Sequence, residues 1–180
     1  WRAGRHGPWA TEAGHADFAP AVEIELELAA FLARRHGGHA SVERVLSGPG
    51  IADIADFLVE SGRFAAIASV AALPAARRPA ELTRLGLAGS EALAVATLEL
   101  FADVLAREAG NAALRYLALG GVALAGGIPP RLLGMLERPG FLAAFADKGR
   151  FSELLQSLPL RVVTDPDATL LGAAHIALAA

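Results

Sequence analysis

Apolar residues recur along this chain in two rhythms, and glycine and proline punctuate them. Between residues 20 and 36 they fall at Val22, Ile24, Leu26, Leu28, Phe31 and Leu32. The first half alternates with Glu23, Glu25 and Glu27, a pattern that fits a strand as well as a helix. Glutamates early, Arg34, Arg35 and His36 late, and then Gly37-Gly38 complement a helix dipole and stop it, so a helix is predicted. Ser41 reads as the N-cap of a short helix carrying Glu43 and Arg44, closed by Ser47-Gly48-Pro49-Gly50. Residues 51–60 predict another short helix, and residues 61–87 an irregular surface excursion with helical pieces. Ser90 opens the clearest amphipathic helix: Leu93, Thr97, Leu100, Phe101, Val104 and Leu105 lie at three- and four-residue spacings, and Gly110 ends it. Its apolar face predicts packing against a flat apolar surface, a sheet.

Residues 116–124 are apolar without alternation, the pattern of a strand in a parallel sheet covered on both faces, and residues 160–164 predict a second buried strand. Ala125-Gly126-Gly127-Ile128 follows the first strand, and Pro129-Pro130 starts a helix through Glu137, proline being favoured in a first helical turn. Residues 141–147 and 152–158 read as short helices, and residues 168–179 as a small-residue helix after an Asp165-Pro166-Asp167 turn. Strands alternating with helices place the chain in the α/β class. No internal repeat stands out beyond an alanine bias.

Composition narrows the function classes. A chain of 180 residues suits one domain or the larger part of one. The net charge of −3 argues against a dedicated nucleic-acid binder, which would carry a basic stripe. With no cysteine, disulfides, thiolate zinc sites and cysteine nucleophiles are excluded. A mean hydropathy of +0.43 raises the question of a membrane. The longest apolar stretch, residues 117–128, contains four glycines and falls short of the roughly 20 residues a spanning helix needs. No signal peptide is visible behind Trp1-Arg2-Ala3-Gly4-Arg5-His6, so a cytoplasmic, soluble protein is expected. Trp1 is not an initiator methionine, and the expectation is a sequence that begins partway through a longer protein.

Candidate chemistry lies in short strings. Glu12-Ala13-Gly14-His15 sets a carboxylate and an imidazole three residues apart about a glycine, a pair able to converge on one small polar ligand. The alternative is a loop with a capping glutamate and a surface histidine. Glu43 is either a ligand carboxylate or a solvated partner of Arg44. Gly126-Gly127 puts bare backbone at the carboxyl end of a strand, where ligand crevices form in open α/β sheets; a plain tight turn explains it equally well. His36 and His39 lack the further ligands of a metal site and read as structural or solvated, as does His175. Ser47 and Ser61 have no nucleophile-elbow context.

Taken together, the strings resemble the bacterial glucokinase family, hexokinases of the actin-like ATPase superfamily. The resemblance is carried by Glu12-Ala13-Gly14-His15-Ala16-Asp17-Phe18-Ala19-Pro20, Glu43-Arg44-Val45-Leu46-Ser47-Gly48-Pro49-Gly50 and Ala125-Gly126-Gly127-Ile128-Pro129-Pro130-Arg131. Phe145-Ala146-Asp147-Lys148-Gly149-Arg150-Phe151 and Leu170-Leu171-Gly172 complete it, all in family order. The related repressor and kinase group usually carries a cysteine-rich zinc motif, which this chain lacks. Ala13 stands where the family often has glycine.

The resemblance implies an α/β fold of the ribonuclease H-like type, helix-rich with a small parallel sheet. Residues 1–180 would then be part of the larger, carboxyl-terminal domain, without its opening strands or the smaller amino-terminal domain. It implies ATP with magnesium as phosphoryl donor, glucose as acceptor, glucose 6-phosphate as product, and a homodimer in the intact protein, with neither nucleic acid nor membrane as partner. Glu12, His15 and Glu43 would bind sugar hydroxyls, and Gly126 and Gly127 would line the nucleotide pocket. The family's catalytic Asp follows an Asn, and its phosphate loops are glycine-rich; none of these strings occurs here, so no residue of this chain takes a catalytic or metal-binding role. A non-catalytic sugar-binding module is the alternative.

Overall fold

In the computed structural model the described residues are 10–179. The expectations about Trp1 and the missing signal peptide fall on residues outside them. The first long helix, α1 (Glu23–Arg35), settles the strand-or-helix ambiguity through its ends. Glu25 reaches back to accept from the Ala21 backbone N–H at 2.7 Å, tying the residue before the N-cap Val22 to the first turn. That carboxylate is fully buried, and Arg107 Nε donates to its other oxygen at 3.1 Å.

Short helix α2 (Val42–Val45) leads directly into α3 (Gly48–Glu60). Here the expectation needs correction. Ser47-Gly48-Pro49-Gly50 opens α3 instead of merely closing α2: the Ser47 hydroxyl oxygen accepts from the Gly50 N–H at 3.1 Å, and Pro49 lies in the first turn. Gly50 is required by packing, since a Cβ there would stand 2.0 Å from the Val45 carbonyl oxygen.

Residues 61–87 hold more order than a surface excursion. They comprise α4 (Ala68–Ala71), a 3₁₀ turn at Ala75–Arg77 and α5 (Arg78–Leu87), whose Leu82 is fully buried. The axis of the molecule is α6 (Ala92–Arg115), with Leu93, Thr97, Leu100, Phe101 and Val104 all buried. Its neighbours are chiefly helices, α3 and α5 before it and α8 after it, and the sheet contributes less than expected. Nor does α6 stop at Gly110. The glycine lets the Phe145 carbonyl oxygen approach to 2.4 Å from where a Cβ would be, and the helix runs five residues further.

The sheet is small. Strand β1 (Val122–Leu124) pairs in parallel with β2 (Leu160–Val162), in the register Val122↔Leu160, Ala123↔Arg161, Leu124↔Val162. Both strands were expected to be longer and fully buried. Only Leu124 is buried, and residues 116–121 form a turn in which Tyr116, Leu117 and Leu119 are exposed. An apolar run is buried only where a second layer covers it, and the described residues supply none over that face. Between the strands come a 3₁₀ turn at Pro129–Leu132, α7 (Leu133–Leu136), α8 (Pro139–Ala146) and α9 (Ser152–Ser157). The helix expected after Pro129 is thus two short pieces, and α8 begins two residues before the expected Phe141, with Pro139 in its first turn. Helix α10 (Ala168–Ala179) closes the described chain as predicted. The class is helix-rich α/β with a two-stranded parallel sheet.

Candidate functional site

Two segments distant in sequence are stitched together by backbone. Phe18 N–H donates to the Ala40 carbonyl at 2.8 Å, and Val42 N–H to the Ala16 carbonyl at 2.9 Å, with Asp17 and Ser41 forming an antiparallel bridge. The stitch lays the 3₁₀ turn Ala13–His15 across the start of α2. A Cβ on Gly14 would be 3.7 Å from Glu43 Cβ, ordinary contact distance, so turn and helix touch. His15 Nε2 then lies 3.6 Å from Glu43 Oε2 and 3.9 Å from Glu12 Oε2. The structure therefore brings the three predicted side chains together, and all three remain mostly exposed to incoming ligand.

They border a cavity of about 280 Å³. His15 and Glu43 line it, while Glu12 stands outside the lining. Seven further residues line it that were not assigned to a site, His36, His39 and Asp53 among them. His39 Nε2 is 2.9 Å from Asp17 Oδ1, and His36 Nε2 is 2.7 Å from Asp53 Oδ2. Both histidines, read from the sequence as structural or solvated, are thus paired with carboxylates, and both line the cavity.

A second cavity of about 570 Å³ lies on the other side of the α3 N-terminus, mainly apolar, between Pro49, Ile51, Arg78, Thr83, Ile128 and Arg131. Pro49 and Asp53 line both cavities. Gly126, at φ 103°, and Gly127 follow β1 after Ala125, but Ile128 and Arg131 beyond them form the wall. The polar handle is Arg78: it donates twice to Asp56, which holds the guanidinium above its usual value, while its buried Nε has no partner among the described residues. Among the described residues no three His, Asp or Glu side chains gather to hold a metal ion, and no single helix is long and apolar enough to cross a membrane.

The sequence profile of the glucokinase family matches residues 1–180. The chain belongs to the glucokinase family. A glucokinase of Yersinia pestis (strain Pestoides F) is 43% identical over 164 residues, covering 91% of this chain and 48% of that protein. A glucokinase of Yersinia pseudotuberculosis (serotype O:1b) gives the same figures. A crystal structure of glucokinase from an Antarctic psychrotroph aligns with a TM-score of 0.78 at 34% identity, over 92% of this chain and 48% of that one. The chain spans about half the length of the curated glucokinases it matches.

Proposed function

We propose that this chain supplies the sugar-binding and nucleotide-binding walls of an ATP-dependent glucokinase that converts glucose to glucose 6-phosphate. The observation that carries the reading is the meeting of Glu12, His15 and Glu43, from two separate segments, beside one small cavity. A hexose presents neutral hydroxyls in a fixed array. Each carboxylate accepts from them, the imidazole donates or accepts, and a charge-assisted hydrogen bond contributes about 1.5–3 kcal/mol. The larger apolar cavity suits a nucleoside: a flat base against Pro49, Ile51 and Ile128, with Arg78 as the polar residue in its wall. Gly126 and Gly127 set the turn that delivers Ile128 and Arg131 to that wall. The actin-like fold assignment, the cytoplasmic location and homodimeric assembly belong to the same proposal, carried by family membership alone.

The residues here bind and orient; they do not complete the reaction. Phosphoryl transfer to a sugar hydroxyl needs a base near the attacking oxygen and cations on the phosphates. The described donor set holds no carboxylate cluster for magnesium, so no step is assigned to a metal within this chain. Absence of a general base alone lowers rates about 10²–10⁴-fold, and the family's phosphate loops are also absent from the sequence.

Two measurements test the proposal. The 180-residue chain alone is expected to show negligible glucose phosphorylation in a coupled assay, and robust turnover overturns that part. In the full-length protein Glu43→Gln is expected to weaken glucose binding by about 1–3 kcal/mol, roughly 5–150-fold, by calorimetry. Unchanged affinity removes Glu43 from the site. Glucose binding by the chain alone, without nucleotide, is the signature of a sugar-binding module.

A further inference from the structure

Asp53 is the residue the proposed function leaves unexplained. It is 7% exposed, and a buried carboxylate is costly unless its oxygens are paired. Both are: His36 Nε2 lies 2.7 Å from Oδ2 and Arg35 Nε 3.1 Å from Oδ1. These two partners are consecutive residues at the end of α1, yet they face different cavities. His36 lines the smaller cavity beside Glu43, Arg35 lines the larger one, and Asp53 lines both.

The connection continues along α3. Arg35 Nη2 donates to Asp56 Oδ2 at 2.9 Å, and Asp56 in turn takes two hydrogen bonds from Arg78, which lines the larger cavity. His36, Asp53, Arg35, Asp56 and Arg78 therefore form an unbroken run of paired charged and imidazole groups. One end borders the smaller cavity and the other the larger. The run pins the end of α1 to the middle of α3, the helix whose Pro49 is common wall.

We propose that Asp53 is a positioning residue that couples the two cavities, so that nucleotide in the larger one tightens glucose binding in the smaller. This rests on the ligand assignments proposed above. A base filling the larger cavity removes water from Arg35, Arg78 and Asp53, and ion pairs strengthen as the local dielectric falls. The end of α1 and the middle of α3 are then held in one arrangement. Glucose meets a wall already ordered and loses less conformational freedom on binding, which gives positive coupling without a large movement. Thermodynamic linkage makes the effect reciprocal.

The test measures glucose affinity of the full-length protein by calorimetry, without nucleotide and with a saturating non-hydrolysable ATP analogue. In the wild type the analogue is expected to tighten glucose binding by about fivefold or more. In Asp53→Asn, which keeps shape and loses charge, the ratio is expected to fall below about twofold, whatever happens to each affinity taken alone. His36→Gln, at a partly exposed position, is expected to do the same and covers the case in which Asp53→Asn does not fold. A purely structural role would lower thermal stability and weaken both ligands while preserving the ratio; a preserved ratio overturns the inference. A wild-type ratio of one overturns it too. Failure of the wild type to bind glucose or the analogue at all overturns the ligand assignments first, and the coupling with them.

Discussion

Replacing Arg107 should expose how much of the fold depends on one buried carboxylate. Glu25 is fully buried and has two partners: the Ala21 N–H at 2.7 Å and Arg107 Nε at 3.1 Å. Arg107→Met leaves that buried charge with a single backbone hydrogen-bond donor. Removing one member of a buried ion pair costs about 3–5 kcal/mol. Arg107 also bonds Asp147 at 3.1 Å, but that carboxylate is 68% exposed and adds at most about 1 kcal/mol. For a chain of 180 residues, about 2–4 °C of Tm per kcal/mol places the expected drop at about 6–20 °C. The double variant Glu25→Leu with Arg107→Met removes both charges and should recover most of the loss, short of about 1 kcal/mol for the helix-start bond. Circular-dichroism melts of wild type, both single variants and the double variant measure this as a cycle. A cost below about 1 kcal/mol for Arg107→Met, or a double variant as unstable as the sum of the singles, would refute the reasoning.

Two further outcomes follow from packing and from charge. Gly50→Ala drives a methyl into the Val45 carbonyl, which it would meet at 2.0 Å, and forces the α2–α3 corner apart. A loss of about 1–3 kcal/mol in urea denaturation is expected, with weaker glucose binding because α2 carries Glu43. Lys148 is held below its usual 10.5, first by burial and then by the Arg107 guanidinium. Between that lowered value and 10.5 the unfolded chain binds more protons than the folded one, so stability rises with pH across the window. Lys148→Met should therefore stabilise the protein at neutral pH, and urea midpoints should show the advantage shrinking as pH approaches 10.5.

Helix α1 was legible because its chemistry is local: acidic residues at one end, Arg34 and Arg35 at the other, a glycine stop after them. Gly50 and Gly110 were not, since glycine marks a helix end or a close approach with the same letter. What distinguishes the cases is a carbonyl, of Val45 in one and of Phe145 in the other, placed there by tertiary packing. The strands failed similarly. Apolar residues at 116–121 look buried in sequence, but burial belongs to a covering layer and not to the run itself. At the site, Glu12, His15 and Glu43 stood within recognisable strings. His36 and His39 did not, because their carboxylate partners lie 17 and 22 residues away and meet them only through the fold.

The paired strands β1 and β2 make a ribbon only two strands wide, so among the described residues each has one unoccupied rim. Peptide groups along such rims accept a further strand without any rearrangement of the helices behind them. Leu170, Leu171 and Leu178 on α10 add further exposed apolar surface. The helical body thus presents a seam ready to be extended, and as concentration rises that same seam is where copies of the chain would begin to clump.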